Sequence, residues 1–102
     1  MYVYNMTSPR TGNAVANQFI IEAPQGLLFQ SYKSLVALKV GGKVYLTKKW
    51  EHSKTTMKYT KEFLNTTASA KTIRERIESG QYKLVTESEM KWYAINEDKT
   101  QQ

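Results

Sequence analysis

The chain has 102 residues, enough for one compact core and too few for two, since domains commonly run about 100 to 150 residues. Hydrophobic residues make up 40% and there are only 5 Gly and 2 Pro, which excludes a low-complexity or compositionally disordered chain. The 15 Lys and Arg against 9 Asp and Glu set a net charge of +6, and the absence of cysteine excludes disulfide frameworks, thiol nucleophiles, zinc fingers and iron–sulfur sites.

The elements follow in chain order. Tyr2 to Met6 reads as a short strand that ends in the turn-rich run TSPRTGN. NQFIIEA alternates, with Phe19 and Ile21 on one side and Gln18, Ile20 and Glu22 on the other, and Pro24, Gln25 and Gly26 close it. Leu27 to Tyr32 resumes as a strand. Gln30 to Ser34 fits strand, bulge and turn alike. The next strand runs from Leu35 to Val40 and turns at Gly41 and Gly42, a pair suited to the positive φ of a tight hairpin. Lys43 to Thr47 returns with Val44 and Leu46 inward and Lys43, Tyr45 and Thr47 outward.

After Trp50 the period changes from two to 3.6. Ser53 is the expected N-cap of a helix over Lys54 to Leu64, with Lys54, Lys58 and Lys61 on one stripe and Tyr59 and Phe63 on the far side. A second helix over Ala70 to Ser79, capped by Thr67 or Ser69, turns Ile73 and Ile77 inward and ends at Gly80. Its outer face offers the i, i+4 pairs Lys71 with Glu75 and Arg74 with Glu78. Tyr82 to Thr86 is a last strand, and the period of SEMKWYAI fits strand and helix equally. The expected fold is therefore α+β: an antiparallel meander of four to six strands with two helices packed on one face. A single domain is expected over 1–95, and NEDKTQQ, with nothing to bury, makes a flexible tail of 96–102.

Charge is concentrated. Residues 31–61 hold eight lysines, Lys33, Lys39, Lys43, Lys48, Lys49, Lys54, Lys58 and Lys61, against Glu51 alone, while the flanks are nearly neutral. Such a local field gathers anionic partners, nucleic acid or an acidic protein surface; the same lysines also solubilise a face and discourage edge pairing. Tyr45, Trp50, His52 and Tyr59 interleave with Lys43, Lys48, Lys49, Lys54 and Lys58, the mixture with which single-strand binders hold phosphates and stack bases. Trp50 equally suits a plug at the strand-to-helix corner. The expected interaction residues are Lys43, Tyr45, Lys48, Lys49, Trp50, Lys54, Lys58 and Lys61.

Catalysis finds little to work with. His52 is the one histidine and Asp98, in the tail, the one aspartate. Ser53 beside His52 is not a dyad by adjacency, because neighbouring side chains point apart. No carboxylate pair has ligand spacing with the histidine, and Gly41–Gly42 lacks the Lys and Ser or Thr of a phosphate loop. No enzyme activity, metal or cofactor is expected. The amino terminus has no signal-peptide pattern, and no apolar run nears the roughly 20 residues of a membrane span. A reducing cytoplasm and no membrane partner are expected.

Several runs carry a resemblance. Asn17, Gln18 and Phe19, then Phe29, Gln30, Ser31 and Tyr32, then Val36 and Ala37, and finally Trp50, His52, Ser53, Thr55, Thr56, Lys58 and Tyr59 form a pattern over about residues 10–85. This pattern resembles a family of small proteins encoded by phages and prophages of Gram-positive bacteria, catalogued as a domain of unknown function. His52 stands where that family would have Tyr or Ser, and Ser88 onward lies outside the resemblance. The resemblance implies a non-structural accessory role in a bacterial host cytoplasm and supplies no activity.

Two readings follow. In the first, the protein binds stoichiometrically and inhibits a host nucleic-acid-handling or defence complex, as an anti-CRISPR does, through an acidic or nucleic-acid-binding surface. In the alternative, the basic 31–61 face binds nucleic acid directly.

Overall fold

A computed structural model describes residues 2–96. Six strands form one sheet in the order β1 (Tyr2–Thr7), β2 (Ala14–Glu22), β3 (Leu27–Ser31), β4 (Ser34–Val40), β5 (Lys43–Leu46), β6 (Tyr82–Leu84). The first five form the expected antiparallel meander. β6 departs from it and lies parallel to β5, because the chain crosses one face of the sheet in α1 (Lys54–Leu64) and α2 (Ala70–Glu78) before returning. Residues 97–102, most of the expected tail, lie outside the described residues.

Local chemistry accounts for most of these boundaries. Gly41 and Gly42 adopt φ of 50° and 85°, the paired positive values of a two-residue hairpin. The Ser53 hydroxyl oxygen accepts from the Thr56 N–H and caps α1, whose C-cap Asn65 takes the left-handed conformation at φ 55°. Ser69, one of the two expected residues, caps α2, and Gly80 follows it at φ 85°.

The segment left open at Gln30 to Ser34 resolves into a turn next to an irregular register. Phe29 faces Ala37 and Gln30 faces Leu35, so Val36 is an extra residue in β4. Alternation slips there. Val36 and Ala37 join one core with Ile20, Phe29, Leu46, Trp50, Tyr59, Phe63 and Ile73 beneath α1 and α2, whereas Leu35 and Leu38 join another with Leu28, Tyr45, Val85, Met90 and Ala94.

That second core corrects the sequence expectation that helices occupy one face. SEMKWYAI lies in a third helix, α3 (Glu87–Ile95), which packs on the opposite face of β4. Thr86 and Glu89 close a reciprocal capping box at its start. Periodicity is silent here because Met90 and Ala94 are buried while Trp92 and Ile95, on the same short helix, are exposed. Glu87 also ties α3 to the sheet, its carboxylate accepting from the Leu35 N–H at 2.8 Å.

Tyr45 and Thr47 are consequently not outward. Tyr45 is 4% exposed, and Thr47 is buried, donating its hydroxyl to the Leu35 carbonyl at 2.7 Å.

Candidate functional site

The basic segment passes from β5 through a short 3-10 helix (Lys48–Glu51) into α1. Thr47 caps the 3-10 helix, and Trp50 anchors it, 2% exposed beneath α2. With the indole turned inward, Lys48 and Lys49 are turned out, and the helical stripe places Lys54 and Lys58 beyond them, all four exposed. Lys43 and Lys61 are half-buried. Lys39 leaves the face altogether, donating to the Phe63 carbonyl at 2.6 Å with its ammonium 4.4 Å from the Phe63 ring centroid.

The charge on this surface is not internally neutralised. Glu51, the one acid of the 31–61 segment, pairs with Arg74 at 2.8 Å, the only ion pair among the described residues. Arg74 also lies 5.8 Å from the Trp50 ring centroid, so α2 holds the 3-10 helix by a cation over the indole and a carboxylate beside it. The i, i+4 pairs expected on α2 are therefore not the ones formed. Lys48, Lys49, Lys54 and Lys58 are left facing solvent with no carboxylate of the chain at ion-pair distance among the described residues.

Of the two aromatics expected on the interaction face, neither presents a ring to a base. Trp50 belongs to the core under α1 and α2, and Tyr45 to the core under α3, where it stacks on Tyr93. Tyr59 is buried as well. Within the 31–61 segment, the ring that does stand in solvent is Tyr32, 54% exposed at φ 55° in the turn between β3 and β4. Sequence reasoning passed over it as part of an ambiguous turn; the signal available was an aromatic next to Lys33 at the start of the basic run.

His52 is exposed, and its ring makes no hydrogen bond among the described residues. Nothing orients it as a general base for a nearby hydroxyl. Among the described residues no group of three or more His, Asp or Glu side chains is placed to hold a metal ion, and no helix is long and apolar enough to cross a membrane.

Behind the lysines lies a network of hydroxyls. Ser31 and Thr56 are hydrogen-bonded at 3.0 Å, Ser53 donates to Thr56 Oγ1 at 3.1 Å, and Thr60 donates to the Thr56 carbonyl at 2.7 Å. The hydroxyls join β3 to the first two turns of α1, an association of residues far apart in sequence.

A model of a family of unknown function, DUF8033, matches residues 1–79, which take in β1 to β5, α1 and α2 but not β6 or α3. No curated protein and no solved structure matches the chain.

Proposed function

For a chain that thus belongs to the family of unknown function DUF8033, we propose a binding role without turnover, in which the lysine face of the 3-10 helix and α1 engages the phosphate backbone of nucleic acid. The observation that carries it is the commitment of Glu51 to Arg74, which leaves Lys48, Lys49, Lys54 and Lys58 exposed and unneutralised. Lysines of this kind gain affinity by releasing counter-ions from phosphates, and every one of them in this segment is Lys, which suits sequence-independent contact better than bidentate base reading. Lys43 and Lys61 flank the face.

The resemblance to prophage-encoded proteins extends this reading to an accessory protein working in a bacterial host cytoplasm on nucleic-acid-handling or defence complexes, with no cofactor. A second reading has support in the burial of Tyr45 and Trp50, which removes two stacking platforms. In it the same lysines dock on an acidic surface of a host protein, and the protein acts as a stoichiometric inhibitor.

Fluorescence anisotropy with single- and double-stranded DNA and RNA at about 50 mM salt tests the first reading. Lys54→Glu and Lys58→Glu each weaken binding and lower the slope of log affinity against log salt by about one. Absence of binding to all four nucleic acids overturns it. A stoichiometric protein partner that survives nuclease treatment of the host lysate favours the second reading.

A further inference from the structure

The geometry points to a nucleotide-phosphate site in the cavity enclosed by the β3–β4 turn, the 3-10 helix and the start of α1, with Tyr32 as the ring that receives the attached base. This rests on the nucleic-acid reading only for the class of ligand. The cavity has a volume of about 390 Å³, within the about 300 to 1,000 Å³ typical of small-ligand sites.

Its walls come from three stretches of chain and are one-signed. Lys49 and His52 line it from the 3-10 side, Ser34 and Tyr32 from the turn, and Ser53 and Thr55 from the helix side, and no carboxylate lines it. A neighbouring cavity of about 410 Å³ shares Lys49 but includes Glu87 and Glu89, so the two differ in the charge they accept. Of the lining hydroxyls, those of Ser31, Ser53 and Thr56 are bonded to one another, which leaves Ser34, Thr55 and the Lys49 ammonium as donors for the acceptor oxygens of a tetrahedral group. Ser53, the N-cap, and Thr55, in the first turn, put the positive end of the 11-residue α1 at the same wall.

A separate observation lies on the sheet behind this wall. Gln18 is wholly buried and faces Ser31 across β2 and β3, so both side chains share a side of the sheet. Its amide nitrogen and oxygen have no hydrogen-bond partner, and they are the only such buried side-chain atoms among the described residues. Buried amides are ordinarily satisfied. Ser31 lines the cavity, and Gln18 is its cross-strand neighbour in β2 without itself lining the cavity.

The ring of Tyr32 makes the ligand a nucleotide in preference to a bare anion. It lines the cavity while remaining 54% exposed, so it is available to stack a base.

The test is an amide chemical-shift titration of the full chain with adenosine 5′-monophosphate, inorganic phosphate and adenosine, each against sodium chloride at matched ionic strength. Saturable shifts at Tyr32, His52, Ser53 and Thr55 with the monophosphate are expected, smaller with phosphate, and smallest with adenosine. Lys49→Gln lowers affinity for both phosphate and monophosphate at least fivefold. Tyr32→Asn, a residue that tolerates the left-handed backbone, lowers affinity for the monophosphate alone. Shifts that never saturate, or that follow ionic strength equally at Lys54 and Lys58, overturn the site. An oligonucleotide arm separates the two proposals: salt-dependent oligonucleotide binding that Lys49→Gln weakens no more than Lys61→Gln removes the cavity and keeps the nucleic-acid face. Monophosphate binding without any oligonucleotide binding does the reverse.

Discussion

The ring of Tyr45 lies 4.7 Å from that of Tyr93, stacked at an interplanar angle of 15°. Tyr45 is in β5 and Tyr93 in α3, so the stack closes the core on the sheet face away from α1 and α2. A residue whose position in a basic run suggested contact with bases is instead part of what holds α3 down.

Tyr45→Ala should destabilise the protein by about 3 kcal/mol, the cost of emptying a buried aromatic site, while changing the nucleic-acid affinity of the folded chain less than twofold. Urea unfolding and anisotropy measured on the same variant check both halves. Lost affinity at an unchanged unfolding midpoint would return Tyr45 to the binding face.

Gln18 carries an unsatisfied amide in a fully buried position. Gln18→Met keeps the length of the side chain and removes the unpaired polar atoms, so it should raise stability by about 1 to 2 kcal/mol. A stability loss in urea unfolding would show that the amide is satisfied in solution.

Lys39 couples a helix end to the sheet, and burial holds its ammonium below the ordinary lysine value. The native state therefore binds fewer protons at this site than the unfolded chain across the interval between the lowered and the ordinary value. Its contribution to stability is fully present above the ordinary value and is lost as pH falls through the lowered one. The stability of wild type relative to Lys39→Met should accordingly be greater at about pH 10.5 than at about pH 7, read from paired urea curves. A difference that does not change with pH would contradict the burial of the charge.

Gly26 stands against the neighbouring strand so closely that a Cβ there would lie 2.0 Å from the Lys39 carbonyl oxygen. That neighbour is backbone and cannot turn aside. Gly26→Ala should cost about 1 to 3 kcal/mol, as overpacking does, and the thermal midpoint checks it.

Much of the architecture was legible because it is locally encoded. Glycines at 41 and 42 demand positive φ, Ser53 and Ser69 supply caps, and Tyr59 with Phe63 marks the buried stripe of α1. The candidate site was legible only in its charge. Lys48, Lys49, Lys54 and Lys58 are where a basic face would have them, yet which rings accompany them depended on partners distant in the chain. Trp50 is covered by helices that follow it, and Tyr32 was concealed by an irregular turn whose register is set by the extra residue Val36.

Residue order by itself determined the period of most segments before α3, the glycine turn at 41 and 42, and the confinement of positive charge to 31–61. The tertiary structure decided which side of each strand is covered, that β6 returns parallel to β5, and that Glu51 is spent on Arg74 and not on a lysine. The reason is physical. Backbone conformation and capping depend on neighbours along the chain, whereas burial and charge pairing depend on what packs across space, and the partners of Tyr45 and Glu51 come from α3 and α2, far along the chain.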